Sequence, residues 1–251
     1  MTYNETIAYL YGLQKHGIKL GLQNTITLLS MLGNPQNSFR SIHIAGTNGK
    51  GSTSAMIASM LQAAGESVGL FTSPHLVSFT ERIKVNNVEI TEAEVVELAG
   101  EVKRIISRLS AETLEPRTPD PFLNPTFFEF VTAIAFLYFK KKGIDTAVVE
   151  TGMGGRLDAT NVLVPKVTVI TRISYDHREF LGNTLQEISA EKAGIIKQGI
   201  PVVSAAQADE AMEVIRQKAS ELNAPLYVYR DDFVSQAQEM DMKGITLNYR
   251  G

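Results

Sequence analysis

The segment Ser41-Ile-His-Ile-Ala-Gly-Thr-Asn-Gly-Lys-Gly-Ser-Thr53 restricts what this chain can fold into more than any other stretch. An apolar alternation ends at Gly46, a glycine-rich turn follows, and an apolar pattern of helical period runs on to Leu61. A strand, a tight loop and a helix start in that order make an anion cradle. Loop N–H groups converge on the anion, and the helix N-terminus adds partial positive charge. The segment therefore predicts a nucleoside triphosphate site, with ATP the first choice. Thr47, Asn48, Gly49, Lys50, Gly51, Ser52 and Thr53 are its candidate residues. Lys50 would reach the outer phosphates, and Ser52 or Thr53 would face a magnesium ion. The common phosphate loop is longer between its first glycine and the Gly-Lys pair, whereas only Thr47 and Asn48 intervene here. A plain turn that binds nothing is the competing reading, and the lysine, the hydroxyls and the strand–helix context speak against it.

The 251 residues suffice for one large or two small domains. A formal charge of −3 implies no general attraction to nucleic acid or to an anionic membrane. No cysteine is present, which excludes disulfides, thiolate zinc sites and cysteine nucleophiles and fits a reducing, cytoplasmic setting. The N-terminus lacks the basic stretch and apolar core of a signal peptide. The longest apolar run, 131–139, is too short to span a bilayer.

Strand-like and helix-like segments alternate along the chain. Strands are expected at 41–45, 68–71, 145–150, 166–172, 200–205 and 226–229, and helices at 52–64 and 209–222. Three capping boxes, Thr91-x-x-Glu94, Thr126-x-x-Glu129 and Thr184-x-x-Glu187, open helices expected to end near Leu109, Lys142 and Lys197. The proline-rich stretch 111–125 reads as a surface loop. This order predicts a mainly parallel sheet with helices on both faces. The segment 244–249 looks like a strand with nothing after it to pair or cover it, which suits either a fragment of a longer chain or an ordinary edge strand.

Ligands of open parallel sheets bind at the carboxyl ends of the strands. Four predicted strands deliver polar groups there: the glycine-rich loop, Thr72-Ser-Pro-His75, Glu150-Thr-Gly-Met-Gly-Gly-Arg-Leu-Asp-Ala-Thr-Asn161, and Arg172 to Glu179 with His177. Glu150 ends an apolar strand, where nucleotide-binding proteins hold an acid for magnesium. An ion pair with a helix is the alternative. Magnesium keeps several waters and needs few protein ligands, so Ser52 or Ser73 would complete the set. His177 reads equally as a loop histidine satisfied by its neighbours. Lys192 has small neighbours, Ala193 and Gly194, that suggest close packing; a buried lysine becomes reactive as the neutral amine, and a solvated lysine is the alternative. Lys197 looks like a solvated cation at a helix end.

Together, Gly46-Thr-Asn-Gly-Lys-Gly-Ser52, Thr72-Ser-Pro-His75, Glu150 with Gly-Gly-Arg-Leu-Asp-Ala-Thr-Asn161, Asp176-His177 with Leu-Gly182, and Glu191-Lys-Ala-Gly-Ile-Ile-Lys197 closely resemble the N-terminal ATPase domain of folylpolyglutamate synthases (FPGS), including the bifunctional dihydrofolate synthase form, a branch of the Mur ligase superfamily. The resemblance covers nearly the whole chain, and the short phosphate loop is that superfamily's usual form. It implies an α/β fold of the P-loop NTPase-like, Mur ligase central-domain type. Residues 1–251 would be one ATP-binding domain, with the family's C-terminal glutamate-binding domain lying outside them.

The resemblance further implies an ATP-dependent ligase that joins L-glutamate to reduced folates, and to dihydropteroate in the bifunctional form, through an acyl phosphate. It places ATP phosphates on Gly49, Lys50, Gly51 and Ser52, magnesium on Ser73, Glu150 and His177, and a carbamylated lysine at Lys192 beside the metal. Lys50, His177 and Lys192 carry the catalytic roles. Thr126, Phe127, Phe128, Glu129 and Asp158 match the pterin pocket, where aromatic faces stack on a flat heterocycle; helix-core packing is the other reading of the phenylalanines. Leu20-Gly-Leu22 resembles the start of a folate-contacting loop, although Gln23-Asn24 replaces the family's acid–arginine pair. A monomer is expected. A cell-wall Mur ligase is disfavoured by the short stretch before Gly46, and a non-catalytic nucleotide switch by the carboxylate-activating set around Lys192.

Overall fold

The structure, a computed structural model, describes residues 1–17, 21–112, 124–241 and 244–251. Eight strands form one sheet. In chain order they are β1 (Arg40–Ala45), β2 (Val68–Phe71), β3 (Ile83–Val85), β4 (Val88–Glu89), β5 (Thr146–Glu150), β6 (Val167–Ile170), β7 (Val202–Ser204) and β8 (Leu226–Val228). Their spatial order is β4-β3-β2-β5-β1-β6-β7-β8. The run from β2 to β8 is parallel, and the β3–β4 hairpin adds an antiparallel edge at β2. The hairpin's strands are too short to show a period in the sequence. The predicted strands form, trimmed by a residue or two at several ends.

Burial explains why the inner strands lack polar alternation. Along β5, Ala147 and Val149 join a core under one set of helices, while Val148 joins Ile44 and Val68 under another. The first set comprises α1 (Tyr3–Gly12), α2 (Gln23–Met31), α4 (Glu92–Glu112) and α5 (Phe127–Lys142). Every residue of α5 from Glu129 to Phe139 is buried, so this helix is apolar on all sides. Its start is the Thr126–Glu129 capping box and its end is Gly143, as expected. On the other face, α3 (Lys50–Ala63) covers the sheet through Ile57, Ala58 and Leu61. The helices α7 (Leu185–Ala193) and α8 (Asp209–Glu221) pack over β6 and β7 around Ile170, Ile188, Val202 and Ile215. Among the described residues no helix is long and apolar enough to cross a membrane.

Expectations at three segments are corrected or extended. The helix after Thr184 stops at Ala193, not Lys197. Lys197 is half-buried beyond it, donating to the Asn161 carbonyl at 3.1 Å, and burial lowers its pKa. The strand expected at 244–249 forms as β10 (Gly244–Arg250), and its antiparallel partner is β9 (Val234–Asp241), which precedes it in the chain. The apolar residues of β9, Val234, Ala237 and Met240, fall three apart among polar ones, so no period-two signal marks it. Of the expected loop 111–125, residues 113–123 lie outside the described residues, and α4 reaches Glu112.

Candidate functional site

The glycine-rich turn joins β1 to α3 as predicted. Gly46 takes a φ of +148° and sits so close to the Thr171 side chain that a Cβ would overlap it. Only glycine fits there. The amides of Thr47 and Asn48 donate to the Arg172 carbonyl at 2.9 and 3.2 Å, and the Thr47 hydroxyl donates to the Ser174 carbonyl at 3.0 Å. Thr47 and Asn48 therefore anchor the loop to the neighbouring strand end with their own donors. The amides aimed at an anion are those of the first turn of α3, at Lys50, Gly51 and Ser52, because no side chain caps this helix. Ser52 is exposed and Thr53 half-exposed on that turn.

The Lys50 ammonium lies 3.2 Å from the Thr47 carbonyl and 3.9 Å from Glu150 Oε1. Glu150 ends β5 beside β1 and is 4% exposed. Its other oxygen accepts the Ser73 amide at 3.2 Å. Burial raises the Glu150 pKa against the pull of the Ser73 amide and of Lys50. Such a carboxylate, buried, held by one amide and 3.9 Å from the Lys50 ammonium, suits a divalent cation. Among the described residues no three acidic or histidine side chains cluster as a metal cage. Magnesium, which retains water, needs none.

Lys192, on α7, is 1% exposed. Its amine donates to the Gly46 carbonyl at 3.0 Å and lies 3.6 Å from Asp176 Oδ2. Burial first, then the charge of Lys50, lowers its pKa to about 8. Asp176 in turn lies 3.4 Å from His177 Nε2. His177 begins α6 (Arg178–Leu181) in the left-handed region, with its ring about half exposed. The structure thus gathers Lys50, Glu150 and Ser73 in one group and Lys192, Asp176 and His177 in another, and the Gly46–Lys50 turn touches both. Asp176 carries a contact that residue type alone did not reveal; its place beside His177 was the available signal.

The loop after β5 is stitched to α7. Arg156 donates its amide to the Glu191 carbonyl at 2.7 Å, and its guanidinium grips the Glu191 carboxylate at 2.8 and 3.1 Å. A Cβ on Gly155 would come within 2.8 Å of the Glu191 carbonyl and 2.9 Å of the Lys192 carbonyl. Gly155→Ala should therefore push α7 away and destabilise the fold by about 1–3 kcal/mol. A lowered urea midpoint checks this, and an unchanged midpoint refutes it.

Asp158 is buried and accepts four hydrogen bonds. The Gly152 and Met153 amides reach Oδ2 at 2.8 and 2.9 Å, and the Thr160 amide and hydroxyl reach Oδ1. Burial raises its pKa, and these donors oppose the rise. Its acceptor capacity is spent on shaping the loop. Thr160 also meets His43 Nε2 at 2.8 Å; His43 is fully buried, and desolvation lowers its pKa to about 3.

Next to this edge lies a cavity of about 430 Å³. Thr126, Phe127, Phe128, Glu129 and Asp158 line it together with Ser73 and Arg82. Phe127 stacks on Tyr11 (5.6 Å) and Phe128 on Phe71 (5.8 Å). Both rings are half-buried, so packing and lining coexist. Glu129 accepts the Thr126 amide at 2.6 Å and Asn24 at 3.4 Å. Of the Leu20-Gly-Leu22 segment, Leu20 lies outside the described residues, and Gly21 lines the cavity. Arg82 was not singled out by the sequence, because one arginine in an irregular segment has no distinctive pattern.

A mainly parallel sheet with a glycine-rich strand–helix turn after its central strand defines an α/β fold of the P-loop NTPase-like type. Residues 122–248 match the model of the Mur ligase middle domain, and the chain belongs to that family. It is 45% identical over 230 residues to the dihydrofolate synthase/folylpolyglutamate synthase of Bacillus subtilis, a match covering 91% of this chain and 52% of that protein. A solved structure described as an FPGS–AMPPCP complex superposes with a TM-score of 0.90 at 38% identity, covering 99% of this chain and 59% of the other. An FPGS–AMPPCP–folate complex gives 0.88 at 38%, with 99% and 59% coverage. The chain spans about half the length of the curated relatives it matches.

Proposed function

We propose that this chain forms the nucleotide- and acceptor-binding part of an ATP-dependent ligase that adds L-glutamate to reduced folates, and to dihydropteroate where both activities reside in one protein. One observation carries this reading. Ser73 lines the aromatic cavity and gives its amide to Glu150, whose other oxygen lies 3.9 Å from the Lys50 ammonium of the glycine-rich loop. An acceptor's carboxylate in that cavity would lie beside the triphosphate tail. The likeness to FPGS structures bound to an ATP analogue and to folate supports the same reading.

In the proposed reaction an oxygen of the acceptor carboxylate attacks the γ-phosphorus, and the bond to ADP breaks. The amine of glutamate then attacks the acyl carbon, loses a proton, and phosphate leaves. Lys50 and the first-turn amides of α3 hold the phosphates and neutralise charge that builds on them. The cavity walls of Thr126, Phe127, Phe128 and Glu129 place the acceptor, with Asp158 shaping the loop beneath it. Magnesium, when bound through Glu150 with Ser73, His177 and a carbamylated Lys192, supplies further charge neutralisation. Lys192 fits carbamylation because its buried amine has a lowered pKa: the neutral amine adds CO₂ and releases a proton. Water must be kept from the acyl phosphate. A second, glutamate-binding domain that closes over the site belongs to this proposal, as does action as a monomer.

The test is glutamate-dependent ADP release by the protein carrying this chain, with tetrahydrofolate, dihydropteroate and a UDP-muramyl acceptor compared. Release with a pterin acceptor alone is expected. Release only with the UDP-muramyl acceptor, or with none, defeats the proposal.

A further inference from the structure

Arg82 is 8% exposed and lines the 430 Å³ cavity, yet among the described residues it makes no ion pair. Its surroundings account for one of its donors. The Nε–H donates to His75 Nδ1 at 2.7 Å. Because Nδ1 accepts, the neutral ring carries its proton on Nε2, which lies 3.1 Å from the Tyr11 hydroxyl. Tyr11 stacks on Phe127 with an interplanar angle of 14°, and the Arg82 guanidinium carbon stands 5.4 Å from the Phe127 ring centre. These contacts hold the guanidinium plane in place. Among the described residues they leave both terminal NH₂ groups of the fork without a protein acceptor.

Glu150 acts on Arg82 only through space, without an ion-pair contact, and a buried cation without a contacting anion is costly, since the lost hydration is not replaced. A rigid guanidinium in a cavity wall therefore calls for a ligand that brings the anion. Its place along the cavity identifies which anion. The Arg82 carbonyl accepts the Thr72 amide at 3.0 Å, one residue before Ser73, which touches Glu150. Arg82 therefore stands where the aromatic cavity meets the phosphate edge. We propose that Arg82 is the carboxylate-recognition residue of the acceptor pocket. Its two NH₂ groups take the acceptor's carboxylate side-on while Phe127 and Phe128 hold the flat ring system. This inference rests on the acceptor reading given above and adds the group that selects a carboxylate-bearing ligand.

The experiment compares binding of pteroic acid, which has a single carboxylate, with binding of its carboxamide, by fluorescence titration of the full protein carrying this chain, loaded with AMPPCP. The unmodified protein should prefer the acid by about ten- to hundredfold, the range of a charge-assisted bidentate contact. R82Q should lose that preference by weakening the acid while leaving the carboxamide within about twofold. R82K, which keeps the charge but not the fork, should fall between. AMPPCP binding by R82Q reports that the variant is folded, and R82K supplies the comparison if it is not. Equal weakening of both ligands in R82Q would show that Arg82 only props His75 and Phe127, and would overturn this inference alone. So would an unmodified protein that binds both ligands equally. Binding of neither ligand would overturn the acceptor reading as well.

Discussion

Lys50→Met should lower ATP-dependent ligation by about three orders of magnitude, on the scale of losing a principal charge-stabilising group in phosphoryl transfer. The reason is geometric. The Lys50 side chain is 15% exposed, and its ammonium sits between the Thr47 carbonyl and Glu150 at the mouth of the first-turn amides. No other lysine lies in α3. Methionine keeps the aliphatic stem and its packing. It also leaves Glu150 without its nearby ammonium, so the Glu150 pKa should rise further and any divalent cation should bind differently. ADP release and calorimetric AMPPCP binding measure both effects. A K50M protein that turns over within about tenfold of the unmodified one would show that the phosphates lie elsewhere.

The second large effect is expected at Lys192. K192M should reduce ligation by roughly a thousandfold without a fall in the urea midpoint, because it removes a buried amine and keeps a side chain of similar length. If carbamylation is the basis, short carboxylic acids should partly restore K192A, where space for them exists. The pH dependence has a definite sign. With an amine pKa of about 8, more of Lys192 is protonated as pH falls below that value, and a protonated amine cannot add CO₂. Carbamate occupancy should therefore be higher at about pH 9 than at about pH 7 for a fixed CO₂ concentration. NMR with isotopically labelled bicarbonate reads it directly. Full turnover by K192M would remove Lys192 from the chemistry. Loss of turnover without any carbamate signal would leave the amine itself as the working group.

Much of the architecture was legible because its signals are local. Thr91, Thr126 and Thr184 each meet the glutamate three residues on, as a capping box requires, since both partners sit within one helical turn. Gly143 ends α5 for the same kind of reason. The glycine-rich turn between β1 and α3 was legible because its glycines, lysine and hydroxyls are adjacent in the chain. The end of α7 was less so: Gly155 and Asn161 come in from another loop, and Asn161 donates to the Gly194 carbonyl at 3.1 Å just past the helix. The strand β9 was missed because both of its faces are exposed and carry polar residues.

The sequence by itself determined which local elements form and where an anion would meet the backbone, because those depend on residues a few positions apart. Tertiary structure alone decided the order of the strands, with β5 set between β2 and β1, and that order is what places Glu150 against Ser73 and Lys50. It also decided that Lys192 is buried and that Arg82 is enclosed without an ion-pair partner among the described residues. Burial and charge pairing depend on atoms brought together from distant parts of the chain, and no short-range pattern specifies them.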